Sequence, residues 1–167
     1  KNEVVDQLVG GIEHLMGAND IEFIHGKAEI LEDKKIKVNT KKFNYKLEYK
    51  NLILALGSKS SYLPIEGADS EDILTSTELL SLREIPKSLV IIGGGVIGME
   101  FAFIYRALGT DVSVVEFMPQ ILNVLDSDVA EVVRDEAIER GIKIYEGAKA
   151  TSIKTTLDGM KLIELEL

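Results

Sequence analysis

The sequence predicts an α/β fold with a parallel sheet, and three observations carry that prediction. The apolar run Leu89–Ile92 leads directly into a glycine turn, Gly93-Gly94-Gly95-Val96-Ile97-Gly98. An apolar-periodic segment then runs from Val96 to Leu108 and stops at Gly109. A second apolar run, Val112–Val115, ends in Glu116. Strand, glycine turn, helix, strand and terminal acid, in that order, are the sequence signature of a βαβ unit built around a ligand.

The remaining elements follow in chain order. Val4, Val5, Leu8, Val9, Ile12, Leu15 and Met16 fall at helical spacing, so residues 3–16 are read as an amphipathic helix. Gly10-Gly11 interrupts it, at a cost of about 1 kcal/mol per glycine relative to alanine. Ile21–Ile24 and Ala28–Leu31 read as strands, and Ile36–Val38 pairs back across the turn Asp33-Lys34-Lys35. Phe43–Leu47 and Tyr49–Leu56 read as two more strands, with Leu52–Leu56 continuously apolar, as in a strand buried on both faces. Gly57–Asp72, turn-rich and polar with Pro64 and Gly67, reads as a linker. The domain boundary is therefore expected at 72/73. Ser76 or Thr77 is expected to cap a short helix ending near Leu82. Asp126 or Ser127 caps a longer one running to Arg140, with Gly141 just past its end. Ile142–Tyr145 is a third strand of the sheet, and Ala150–Ile153 pairs with Met160–Leu167 across Asp158-Gly159 as a β-meander.

Each glycine of the turn has its own physical reason. Gly93 permits the tight exit from the strand, Gly95 lets backbone approach a pyrophosphate, and Gly98 lets the helix pack close to the strand. The free N–H groups of the first helical turn, around Val96 and Ile97, face the phosphates along the positive end of the helix dipole. Glu116 lies where an adenosine ribose would sit. Its carboxylate accepts hydrogen bonds from ribose hydroxyls and repels a 2′-phosphate, which favours NAD over NADP. No Arg or Lys follows in Phe117-Met118-Pro119-Gln120 to reverse that preference. The reading is a Rossmann-like dinucleotide-binding domain. The motif alone does not separate NAD from FAD, since both use it. Glu100 is open to two readings, a dipole-favoured acid near a helix start or a ligand contact.

Composition narrows the function. The chain has 167 residues, no cysteine and a net charge of −9. Residues 1–50 carry nine Lys and nine acids, so residues 51–167, which include the glycine turn, carry the whole excess. Nucleic-acid binding, which needs a basic surface, is not expected. A pyrophosphate must be held by backbone N–H groups, not by a basic cluster. Without cysteine the chain has no disulfide framework, thiolate metal site or redox dithiol. No apolar run approaches the roughly 18 residues of a membrane span, and no signal-peptide pattern opens the chain. A cytoplasmic, membrane-free setting is expected. His14 and His25 read as structural or solvated, and no metal-ligand spacing or nucleophile–base pair stands out.

These stretches together resemble the pyridine nucleotide–disulfide oxidoreductases. The most specific part runs from Leu89 through Gly93–Glu100 to Glu116 and Phe117. The second is Asn51-Leu-Ile-Leu-Ala-Leu-Gly-Ser58 with Pro64 and Gly67, and the third is Gln7–Leu15 followed by Ile24-His-Gly-Lys-Ala28. The resemblance implies that the stretch with Gly93, Gly94, Gly95, Val96, Ile97 and Gly98 binds NAD, with Val96 and Ile97 at the pyrophosphate. It points Glu100 toward the nicotinamide, puts Glu116 at the adenosine ribose and sets Ala150 beside the adenine. It assigns Gly26, Leu56, Gly57 and Ser58 as FAD contacts. The family's usual Ala-Thr-Gly reads Ala55-Leu56-Gly57 here, which removes one hydroxyl from the flavin site.

The family's own FAD-binding glycine motif, its C-x-x-x-x-C disulfide, its C-terminal dimer domain with a His-Glu pair and the last NAD-domain strand have no counterpart in this sequence. The resemblance thus implies a partial FAD-domain segment, residues 1–72, followed by an NAD-binding domain, residues 73–167, that lacks its last strand. The strand at Leu89 is then expected at an open edge, with Leu52–Leu56 as a strand able to fill it. The resemblance implies that in the parent electrons pass from a dithiol such as dihydrolipoamide through the disulfide and FAD to NAD, while the chain alone is expected to be inactive. The parent is expected to be a homodimer, with membership of a 2-oxoacid or acetoin dehydrogenase complex left open. Two other readings stay open: part of an NADH oxidase or NADH:acceptor flavoprotein reductase, and a non-catalytic NAD-sensing module.

Overall fold

Helical spacing, alternation and glycine punctuation become twelve elements in a computed structural model that describes residues 1–167. They form two units, Lys1–Gly57 and Ser58–Leu167.

The first unit opens with α1, Asn2–Ala18. The helix continues through Gly10-Gly11 without a break, because two glycines lower helix propensity but leave every backbone hydrogen bond available. It ends in a Schellman arrangement: Asp20, at φ 54°, turns the chain, its N–H bonds Gly17 O, and the Ile21 N–H bonds Met16 O. Val4, Val5, Leu8, Val9, Ile12 and Leu15 of α1 are exposed, and no residue of the helix is buried.

β1 (Lys27–Leu31), β2 (Lys35–Asn39) and β3 (Asn44–Glu48) then form an antiparallel meander in that order. The β1–β2 turn is made by Asp33 and Lys34, both left-handed. Register puts Ala28, Val38 and Tyr45 in one row and Ile30, Ile36 and Leu47 in the next. Two expected strands are absent. Ile21–Ile24 and Tyr49–Leu56 form no strand, and Ile53 and Leu56 are 88% and 84% exposed. A run buried on both faces needs hydrogen-bonded neighbours and covering layers, and this unit offers neither to Leu52–Leu56.

The second unit holds the parallel sheet. The short helix α2, Ser76–Leu79, is capped by Thr75 and not by Ser76 or Thr77. Thr75 Oγ1 accepts the Thr77 N–H at 3.3 Å, and the Glu78 carboxylate accepts the Thr75 N–H at 2.9 Å, a capping box. That arrangement holds the Glu78 carboxyl below its ordinary pKa, chiefly through the Thr75 hydroxyl. β4 (Ser88–Ile92), α3 (Val96–Ala107), β5 (Asp111–Val115), α4 (Ser127–Glu139) and β6 (Lys143–Tyr145) follow. The sheet order is β4-β5-β6, all parallel, so β4 lies at an edge as expected, but Leu52–Leu56 forms no strand to pair with it. Phe101, Ala102 and Tyr105 of α3, Val112 and Val114 of β5, and Ala130 and Ala137 of α4 close the core with Ile121 and Ile142. Tyr105 donates to Leu79 O at 2.9 Å, tying α2 to α3. No helix is long and apolar enough to cross a membrane.

β7 (Lys149–Thr155) and β8 (Lys161–Glu166) form the expected hairpin, with a bulge between Ala150 and Ser152. Glu164 lies at its centre, accepting from Lys154 Nζ and Ser152 Oγ, both at 2.5 Å. These two donors, Lys154 first, hold its carboxyl below the usual range. The segment read as a linker is packed on this hairpin: Glu66 bridges Ser152, and Ala68 is buried. Gly67 makes the crossing possible. At φ +82° its position disfavours any side chain, and a Cβ there would lie 2.0 Å from Ile153 O. Gly67→Ala is expected to destabilise the second unit by about 3 kcal/mol. Urea melts of the two proteins check this; an unchanged midpoint would show that the crossing is not held as described.

Candidate functional site

The glycine turn sits at the carboxyl end of β4, where an open parallel sheet binds its ligands. Gly93 leaves the strand at φ 111°, a conformation that favours glycine. Its N–H still bonds Val115 O at 2.8 Å, so the turn begins in register with β5. A Cβ on Gly98 would lie 2.0 Å from Gly93 O, which fixes that position as glycine for helix–strand packing. A Cβ on Gly95 would meet nothing within 4 Å, because the space in front of it is open. Gly95 is the N-cap of α3 and has no side chain to cap the helix. Helix geometry leaves the first amides, at Val96, Ile97 and Gly98, without intrahelical acceptors. Val96 and Ile97 are exposed. The result is an open cradle of N–H groups at the positive end of a twelve-residue helix.

Glu116 closes the other side. Its Oε2 accepts the Gly94 N–H at 2.6 Å, and its Oε1 accepts the Met118 N–H at 2.7 Å. A carboxylate has about four acceptor positions, so two hydrogen bonds leave room for a diol. Gly94 has a reason of its own. A Cβ there would lie 2.7 Å from Ile121 Cγ2 and 3.1 Å from Glu116 Cβ. The Leu122 N–H bonds Gly94 O at 2.8 Å. Two backbone bonds, Gly147 N to Met118 O and Ala148 N to Glu116 O, both 2.9 Å, tie the loop after β5 to the start of β7. Ala150 lies two residues further along, half-buried on β7. The structure therefore brings Gly93–Gly98, Glu116 and the approach to Ala150 together. Glu100, one turn into α3, is exposed.

These residues fit the pyrophosphate and ribose of a dinucleotide: an empty space that a Cβ on Gly95 would enter, N–H groups facing it, and a carboxylate with spare acceptor capacity. The residues assigned to a flavin do not show a comparable fit. Gly26 is glycine because a Cβ there would meet Asn39 O at 2.7 Å and Val38 Cγ1 at 2.8 Å, a packing reason within the first unit. Leu56 and Ser58 are exposed, and Gly57, at φ +71°, has nothing within 4 Å of its Cβ position.

A cavity of about 940 Å³ also borders the turn. It is lined by β4, by Gly93, Gly95 and Val96, and by Ile153, Lys161 and Ile163 of the hairpin. It takes in Ile97 and Gly98 as well but not Gly94, Glu116 or Ala150, so it runs along the open edge of β4 to the start of α3. Lys161 pairs with Asp72 at its rim and holds that carboxyl below its ordinary pKa.

Sequence reading missed Ile121, Leu122 and Glu146, which shape the turn from behind. They lie more than twenty residues from the glycines they support, and no local pattern marks them.

A parallel βαβ unit with a glycine turn at the strand ends and a carboxylate on the next strand defines a Rossmann-type domain. The chain belongs to the pyridine nucleotide-disulphide oxidoreductase family, whose model matches residues 2–166. It is similar to dihydrolipoyl dehydrogenase of Halobacterium salinarum, 38% identical over 163 residues, covering 96% of this chain and 34% of that protein. It is 37% identical to dihydrolipoyl dehydrogenase of Mycoplasma genitalium over 152 residues, covering 89% of this chain and 32% of that protein. Among solved structures it resembles the HOCl-induced flavoprotein disulfide reductase RclA from Escherichia coli. The TM-score is 0.81 at 27% identity, covering 97% of this chain and 39% of that one. The chain spans about a third of the length of the curated relatives it matches.

Proposed function

We propose that this chain supplies the NAD-binding part of a flavoprotein of the dihydrolipoyl dehydrogenase type. One observation carries the reading above the rest. The Glu116 carboxylate is bonded to the Gly94 amide, in register with an α3 N-terminus that has no capping side chain. Family membership and the two dihydrolipoyl dehydrogenase relatives support the reaction class.

On this reading the amides of Val96 and Ile97 hold the pyrophosphate, and Gly95 leaves room for it. Glu116 accepts from the adenosine ribose hydroxyls and disfavours a 2′-phosphate. Ala150 offers an apolar contact to the adenine, and Glu100 lies toward the nicotinamide end. The nicotinamide, when bound, supplies the hydride acceptor, and the protein's part is to bind, orient and exclude water. We assign the NAD-binding role to residues 73–167 and a dithiol-oxidising, dimeric flavoenzyme to the whole protein.

Amide chemical shifts test the site directly. Adding NADH to the labelled chain is expected to move Gly95, Val96, Ile97 and the residues around Glu116, leaving β1–β3 unmoved. Shifts confined to β4 and the β7–β8 hairpin, or none at all, would contradict the assignment.

A further inference from the structure

We propose that Glu146 is a positioning residue of the dinucleotide site, setting the glycine turn through the loop behind it. The inference rests on the NAD-binding reading above and extends it to a residue outside the motif.

Glu146 follows β6, its side chain only 17% exposed. Its Oε1 accepts the Ile121 N–H at 2.8 Å, and its Oε2 accepts Arg134 Nε of α4 at 2.8 Å. The carboxylate thus joins a helix to the loop that follows Glu116. Ile121 is fully buried, and its Cγ2 is the nearest atom to the Cβ position of Gly94. Leu122, the next residue, donates its N–H to Gly94 O.

Leu122 adds an independent sign. It is buried and has φ +50°, the left-handed region, which bulky side chains rarely adopt. Such a conformation persists only where its surroundings over-determine it. Here the Glu146 anchor on Ile121 lies on one side, and the Leu125 N–H bond to Leu122 O, at 2.8 Å, on the other. Between these two holds the Leu122 amide reaches Gly94 O at 2.8 Å. Gly94 is therefore held at both ends, by Glu116 through its N–H and by the Glu146-anchored loop through its carbonyl. A turn held in this way presents the open face of Gly95 and the α3 amides without rearrangement on binding, which lowers the cost of binding.

The test uses the 167-residue chain with E146A and E146Q, read by amide hydrogen exchange without ligand and by NADH titration. In E146A, exchange at Leu122 and Gly94 should speed up about tenfold while Val114 in β5 keeps its wild-type rate, and NADH should bind about tenfold more weakly. E146Q keeps an acceptor for Ile121 and should recover most of both, leaving changes of about threefold. Wild-type exchange at Gly94 and Leu122 in both variants, or wild-type NADH affinity in both, would overturn the proposal. If E146A loses its fold, seen as faster exchange at Val114 too, the milder E146Q decides by the same readings. If the wild-type chain takes up no NADH, the binding reading fails instead, and exchange at Gly94 still decides whether Glu146 sets the turn.

Discussion

Gly98→Ala is expected to cost the chain both stability and ligand, whereas Gly95→Ala is expected to cost the ligand alone. The two positions lie three residues apart in one motif, but their surroundings differ. At Gly98 a Cβ would stand 2.0 Å from Gly93 O and 3.2 Å from its carbonyl carbon, both backbone atoms that cannot move aside alone. Relieving that clash means lifting α3 from β4, at about 3 kcal/mol. At Gly95 the backbone is extended, φ −72° and ψ −177°, which alanine adopts freely, and a Cβ has nothing within 4 Å. The ligand-free fold should therefore tolerate G95A to within about 0.5 kcal/mol. The new methyl fills the space left for the pyrophosphate, and NADH affinity should fall roughly ten- to hundredfold. Urea melts and NADH titrations on both variants check the contrast. Equal stability losses would contradict the packing contrast, and unchanged NADH binding by G95A would mean that the open space at Gly95 serves no ligand.

Glu116→Ala is the second large effect. The substitution removes a carboxylate that receives two backbone N–H groups and faces the ribose position. Gly94 and Met118 lose their acceptors, and on the proposed NAD reading the ribose loses its own. Hydrogen bonds to charged groups contribute about 1.5–3 kcal/mol each, so NADH affinity should fall at least tenfold. NADPH affinity should fall less, because the same change removes the repulsion of the 2′-phosphate. The ratio of the two dissociation constants, before and after substitution, is the discriminating quantity. A ratio that does not move would show that Glu116 only fastens the turn and does not read the ribose.

How much of this was legible beforehand depended on whether the cause was local. The glycine turn, α3 and the acid ending β5 are specified within a continuous stretch from Leu89 to Glu116, and the structure places each where spacing indicated. The β7–β8 hairpin was equally readable, since Asp158-Gly159 and the flanking alternation are local. The errors came where tertiary context decides. Leu52–Leu56 has the composition of a central strand, but a strand exists only with a partner, and none is paired with it. Gly67 looked like punctuation in a linker, yet its reason is the crossing over Ile153, far along the chain. Thr75, one residue before the expected caps, wins because Glu78 lies three residues on and completes the box. In the site, the pattern gave the glycines and Glu116. It could not give Ile121, Leu122 or Glu146, whose contacts with the turn or its supporting loop span more than twenty residues.

The central claim is that this chain carries a preformed site for NAD, read at the ribose by Glu116. Calorimetric titration of the unmodified chain with NADH and, separately, NADPH tests it most directly. The account predicts saturable binding of NADH at one site and binding of NADPH at least tenfold weaker. Equal affinity for the two nucleotides, or no heat with either from a folded chain, would contradict it.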